Sequence, residues 1–269
     1  MSEPLAGRVA IVTGASAGIG RATAVAFARC GMTVALAARR LDRLQVVADA
    51  IAADGGRALA VQTDVAAEAD VRALVARTME TYGRLDVMVC NAGFGVEGPI
   101  EAHTTEAMRR LLDVNYMGTF FAARAALPIF RQAGRGHLIV VSSIVGRRGA
   151  PYVCGYAATK CAQVGLIESL RAELAGTAIR VSGVYPVSTE TEFADVMHAA
   201  SALETQRPTG PHQSAETVAA AIVRCVRHPR PDVYPHAGSR LLPLLNWMAP
   251  QVTDRLMHRL GRKPRDDAR

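Results

Sequence analysis

A short apolar run, Val9 to Val12, ends in Thr13-Gly14-Ala15-Ser16-Ala17-Gly18-Ile19-Gly20, and a helical stretch from Ala22 to Cys30 follows it. Glycines in a strand-to-helix turn permit backbone conformations closed to other residues and let the main chain approach a ligand. The helix beyond them offers free N–H groups and the positive end of its dipole, which suits a phosphate. Strand, glycine turn and helix together form the first unit of a dinucleotide-binding fold. Gly14, Ser16, Gly18, Ile19 and Gly20 are the expected contacts of this turn with the cofactor.

The alternation then continues. Thr33 to Ala38, Ala58 to Gln62, Leu85 to Cys90, His137 to Val141 and Ile179 to Val184 read as strands. Leu41 to Ala53, Ala67 to Tyr82, Thr105 to Gln132 and Tyr156 to Leu174 read as helices. Strands alternating with helices predict an α/β fold, a doubly wound parallel sheet covered on both faces, with ligands at the carboxyl ends of the strands. Half of the residues are apolar but only 5% are aromatic, so the core is built mainly of Ala, Val, Leu and Ile. We expect one domain over residues 1–238 and a C-terminal extension over 239–269.

Chemistry-bearing residues cluster at those strand ends. Tyr156 and Lys160 are four apart, so on a helix they stand one above the other, and a nearby ammonium favours the phenolate. Of 31 lysines and arginines only Lys160 and Lys263 are lysine, which suggests that position 160 needs a compact ammonium. Ser143 closes the fifth strand just before this pair. After the second strand, Ala38 occupies the place where an acid would bond a ribose 2′-hydroxyl, and Arg39 and Arg40 follow it. Arginine can pair with a 2′-phosphate, so the expected cofactor is NADP(H). Arg39 is the first choice as phosphate ligand, and Arg40 has a second reading, as a solvated residue at the start of a helix.

The order and spacing of these pieces resemble the classical short-chain dehydrogenase/reductases, from about Leu5 to Tyr234. The matching residues are Thr-Gly-x-x-x-Gly-x-Gly at 13–20, Asp64-Val65, Asn91-Ala92-Gly93, Asn115, Ser143 and Tyr156-x-x-x-Lys160. The resemblance implies hydride transfer between a nicotinamide cofactor and a small carbonyl or alcohol. It assigns Tyr156 as general acid and base, Ser143 as hydrogen-bond donor to the substrate oxygen, Lys160 as partner of the ribose and the phenol, and Asn115 as holder of a water behind Lys160. Asn115 reads alternatively as a helix kink. The resemblance places Asp64 and Val65 at the adenine and Asn91, Ala92 and Gly93 at its ribose, with Asp64 also readable as a helix N-cap. Pro186, Thr189 and Thr191 are expected near the nicotinamide, although Val187 stands where the family usually has glycine. A non-catalytic NADP-binding regulator on the same fold is the alternative function, disfavoured by the intact Asn115, Ser143, Tyr156 and Lys160.

Phe94, Ile144, Tyr152 and Phe193 are expected to wall the substrate pocket, under a loop over residues 187–213. Arg147 and Arg148 read either as a solvated loop or as receptors for an anionic substrate. The net charge of +7 comes from scattered arginines, without a basic run interleaved with aromatics, so no nucleic-acid partner is expected. Five cysteines without paired spacing point to a reducing cytoplasm, and neither they nor His103, His198 and His212 have metal-ligand spacing, so no metal is expected. No apolar run is long enough to span a bilayer. The extension, Leu241 to Met248 and Val252 to Leu260, needs cover for its apolar face. Its own domain or a subunit is the first expectation, and weak membrane-surface association through Arg255, Arg259 and Arg262 is the alternative. The family resemblance implies a homodimer or homotetramer assembled through the helices that carry Asn115 and Lys160.

Overall fold

The computed structural model describes residues 4–193, 197 and 212–260. Seven parallel strands form the central sheet: β1 (Val9–Thr13), β2 (Thr33–Ala38), β3 (Arg57–Gln62), β4 (Val87–Cys90), β5 (Gly136–Val141), β6 (Ile179–Val184) and, after a pair described below, β9 (Asp232–Val233). Their spatial order is β3-β2-β1-β4-β5-β6-β9, so the direction of winding reverses between β1 and β4. Strand residues alternate between faces. Ala10 and Val12 enter one core, whereas Ile11 enters the other.

Helices α1 (Gly18–Arg29) and α2 (Leu41–Ala53) cover the first face, joined by α7 (Ala215–Arg227). Helices α3 (Glu68–Tyr82), α5 (Gly118–Ala133) and α6 (Cys154–Glu173) cover the second. This is the Rossmann-like, doubly wound single domain that the alternation predicts. Helix α3 begins one residue later than expected, with Ala67 as its cap.

The long helix expected over Thr105 to Gln132 is present but not uniform. It runs as α4 (Thr105–Leu111), one π-helical turn over Leu112–Met117, and α5. A π-turn widens the hydrogen-bond ladder and redirects side chains. Here it turns Asn115 inward to complete burial.

Helix α7 and strand β9 are additions to the expected elements. The Ser214 hydroxyl caps α7 by accepting from the Thr217 N–H at 3.2 Å, and Val218, Ile222 and Val226 form its buried stripe. The loop over 187–213 contains β7 (Ser188–Glu190), which pairs in parallel with β8 (His212–Ser214). Residues 194–196 and 198–211 of that loop, His198 with them, lie outside the described residues, as do Arg262 and the side chain of Arg259. The extension forms α8 (Leu241–Met248) and α9 (Pro250–Leu260).

Candidate active site

The glycine turn after β1 is held by side chains on both sides. The Thr13 hydroxyl accepts from the Asn91 and Ala92 N–H groups at 2.9 and 3.1 Å and donates to the Val89 carbonyl at 3.2 Å. The Asn91 amide in turn donates to the Thr13 carbonyl at 2.9 Å. These bonds lock the turn against the end of β4. A Cβ on Gly20 would lie 2.1 Å from the Gly14 carbonyl oxygen, and one on Gly14 would lie 2.9 Å from the Ala92 Cα. Neither position tolerates a side chain. Ala17 caps α1 without a side-chain hydrogen bond, and the first turn carries no acid. An uncapped helix start beside a bare turn fits a dinucleotide pyrophosphate.

Arg40 follows β2 and reaches back to this turn, with its guanidinium 3.5 Å from Ser16 Oγ. It also lies 3.5 Å from Glu192, which Arg43 grips at 2.8 Å. Ala38 itself is buried, so no acid stands at the end of β2. Asp64, after β3, accepts from the Ala66 N–H at 3.1 Å and from Arg110 at 3.0 Å. Partial burial raises its pKa, but those two donors and the charge of Arg39 outweigh burial and hold the carboxyl below its ordinary value. Asp64 therefore closes a local turn ahead of α3, while Ala67 is the cap residue. Val65 is buried against Gly118, whose Cβ would lie 2.9 Å from its methyl group.

Ser143, Tyr156 and Lys160 meet where β5 ends against α6. Ser143 lies close enough to Tyr156 to act on its phenol, and the Ser143 hydroxyl accepts from the Val145 N–H at 3.3 Å. The buried Lys160 ammonium lies 5.6 Å from the centre of the Tyr156 ring and donates to the Val141 carbonyl at 3.0 Å. Burial pushes the Tyr156 phenol up to about 12, against the lowering effect of Ser143. Burial also brings the Lys160 ammonium down to about 7. Spacing alone predicts a lowered phenol pKa; in the folded chain the loss of water reverses the sign.

Asn115 does not reach Lys160 through its amide. Its Oδ1 accepts from the Phe94 N–H at 3.0 Å, and its Nδ2 donates to the Phe94 carbonyl at 2.9 Å and to Thr159 Oγ1 at 3.0 Å. The amide thus clamps the loop after β4 onto α6. Its main-chain carbonyl accepts from Gln163 Nε2 at 2.7 Å and from the Thr119 hydroxyl at 2.9 Å. Gly93 runs between these groups, since a Cβ there would lie 3.0 Å from Asn115 Oδ1 and 3.7 Å from Lys160 Nζ.

The pocket side is formed by loops. The Phe193 ring packs on Tyr156 with centroids 5.6 Å apart. Tyr152 is left-handed at φ 64°, and its carbonyl accepts from the Gly98 N–H at 2.7 Å. Ile144 starts the turn after Ser143 and donates from its N–H to the Pro186 carbonyl at 2.9 Å. Val187 has no positive φ, so this backbone does not require the glycine usual there. Thr189 accepts from Gln213 at 3.2 Å, and Thr191 lies over the glycine turn, its methyl 3.0 Å from where a Gly18 Cβ would stand.

Arg147 and Arg148 are held in ion pairs rather than left in solvent. Arg147 pairs with Glu168 at 3.0 Å and Asp232 at 3.6 Å and stacks over Tyr185, while Arg148 pairs with Asp254 of α9. Sequence reasoning named Thr13 only as part of the turn motif, without its hydrogen bonds, and missed Thr159, Gln163, Arg43 and Glu192. Gln163 alone had a signal, standing one helical turn after Lys160 and two after Tyr156. Among the described residues no group of three or more His, Cys, Asp or Glu side chains is placed to hold a metal.

The family model for short chain dehydrogenases matches residues 8–201. An uncharacterized oxidoreductase of Listeria innocua is 38% identical over 192 residues, covering 71% of this chain and 77% of its own. Among solved structures, a short chain dehydrogenase/reductase from Burkholderia phymatum in complex with NAD superposes with a TM-score of 0.84 at 26% identity, covering 98% of both chains. An alcohol dehydrogenase from the archaeon Thermococcus sibiricus, complexed with 5-hydroxy-NADP, gives 0.75 at 28% identity, covering 84% of this chain and 95% of its own. With the glycine turn, the strand-end cluster and these likenesses together, the chain belongs to the short-chain dehydrogenase/reductase family of oxidoreductases.

Proposed function

We propose that the protein is an NADP(H)-dependent oxidoreductase that interconverts a small carbonyl compound and a secondary alcohol. The observation that carries this reading is the joining of Ser143, Tyr156 and Lys160 at one strand end. The bound nicotinamide supplies or accepts the hydride. Tyr156 donates its proton to the forming alkoxide in reduction and removes it in oxidation. Ser143 donates to the same oxygen and stabilises its charge. Lys160 holds the nicotinamide ribose, and Asn115 positions Gly93 and Phe94 beside it. Gly14, Ser16, Gly18, Ile19 and Gly20 hold the pyrophosphate. Asp64, Val65, Asn91, Ala92 and Gly93 hold the adenosine half, and Pro186, Thr189 and Thr191 hold the nicotinamide half. Phe94, Ile144, Tyr152 and Phe193 wall the substrate.

The absence of an acid at Ala38 and the reach of Arg40 to Ser16 favour NADP(H), with Arg39 and Arg40 on the 2′-phosphate. That phosphate would take the place of Glu192 on Arg40. We expect kcat/KM for NADPH to exceed that for NADH at least about tenfold, and Arg40→Ala to remove most of the difference. Steady-state rates across a panel of ketones, aldehydes, quinones and 3-oxoacyl thioesters provide the measurement. A clear preference for NADH would overturn the cofactor assignment. A non-catalytic regulator is disfavoured, since Asn115, Ser143, Tyr156 and Lys160 are all present. The free cysteines accord with a reducing cytoplasm as the working compartment.

A further inference from the structure

The C-terminal extension carries a surface that the reaction does not use. Eleven large hydrophobic residues are exposed among the described residues, and seven of them lie between Leu241 and Leu256. Trp247 is 80% exposed and Met248 68%. A concentration of this kind marks a surface that meets another apolar phase. The extension is also fixed in place. Thr253 is fully buried, and its hydroxyl lies 3.0 Å from the Ala249 and Pro250 carbonyl oxygens and 3.3 Å from Asn246 Oδ1, which ties α9 to α8. The Arg148–Asp254 ion pair pins α9 to the catalytic domain. The apolar side chains are therefore held outward.

Charge decides what can cover them. Asp254 is the only acid among the described residues of the extension, and Arg148 neutralises it. Arg240 and Arg255 remain, and residues 239–269 carry seven cations against three aspartates. Two copies meeting through this face would set like charges against each other, which opposes association. An anionic lipid surface satisfies both the apolar side chains and the arginines. Helices of 8 and 11 residues cannot cross a bilayer, and no described helix is long and apolar enough to do so. They can lie within the interface. We propose that α8 and α9 dock the enzyme on an anionic membrane surface, with Trp247 and its apolar neighbours inserted among the headgroups.

Trp247 is the only tryptophan in the chain, so intrinsic fluorescence reports this face alone. The full-length protein is titrated with phosphatidylcholine vesicles with and without phosphatidylglycerol. Anionic vesicles should shift the emission to the blue and make it quenchable by brominated lipid, and high salt should lower the bound fraction at least about tenfold. Leu244→Glu/Met248→Glu should abolish vesicle binding while circular dichroism and turnover stay at wild-type levels. No shift and no co-sedimentation with anionic vesicles would overturn the proposal. A blue shift that instead follows protein concentration without lipid would overturn it in favour of a second copy. Equal binding to phosphatidylcholine alone would overturn the choice of an anionic surface.

Discussion

Tyr156 and Lys160 both lose water when α6 folds against the end of β5, and that loss governs which form each adopts. With the phenol pushed up to about 12, Tyr156 is protonated across the physiological range and stands ready as an acid. The direction that needs its phenolate must draw on a minor form. Alcohol oxidation should therefore rise by roughly tenfold per pH unit between about pH 7 and 9, while carbonyl reduction loses nothing to tyrosine deprotonation there. Single-turnover rates in both directions check this, and a pH-independent oxidation rate would contradict it. The identities of these residues were legible from spacing. Their ionisation was not, because burial comes from Phe193 and from β5, which are distant in the chain. The same holds for Arg147 and Arg148, whose partners Glu168, Asp232 and Asp254 arrive from α6, β9 and α9.

Strands and helices with strong local patterning were read closely: β2, α2 and β6 occupy the expected spans. A distortion of the long helix at Asn115 was legible from the sequence; its π-helical form was not, since Asn115 bonds to Phe94 and Thr159 outside its own helix. Strand β9 has two residues, too few to show a period. It is held by pairing with β6 and by Asp232, which takes Arg171 at 3.0 Å. The β5–β6 pair carries a pH dependence of its own. Buried His137 sets Nε2 2.8 Å from Ser182 Oγ, and because that hydroxyl donates to the Arg230 carbonyl at 2.6 Å, the imidazole is the donor to serine. Burial, helped by Arg180 and Arg8, brings the His137 pKa down to about 4. The unfolded chain then takes the proton first as pH falls, so this stability is present above about pH 6.5 and is lost between 6.5 and 4. His137→Gln should lose about 2 kcal/mol less than wild type between pH 7 and 5 in urea unfolding. Equal losses would show that His137 does not titrate in this way.

At the scale of the whole molecule, the winding reverses between β1 and β4, where folds of this kind bind their ligands, with the glycine turn after β1 on one side of β4 and the Ser143–Tyr156–Lys160 cluster at the end of β5 on the other. The sequence displayed that plan because every motif sits at a strand end. Assembly through α5 and α6 is a proposal on family grounds, and sedimentation should find two or four copies of the 28.5 kDa chain. A monomer at micromolar concentration would contradict it. The extension was visible as an apolar and basic tail, but only the fold shows that its own domain leaves that face uncovered. The central claim, that Tyr156 moves the proton, is tested most directly by Tyr156→Phe. We predict that NADPH oxidation with any substrate the wild type accepts falls by at least about a thousandfold, while NADPH binding measured by cofactor fluorescence stays within about threefold of wild type. Turnover unchanged by the substitution would remove the mechanism.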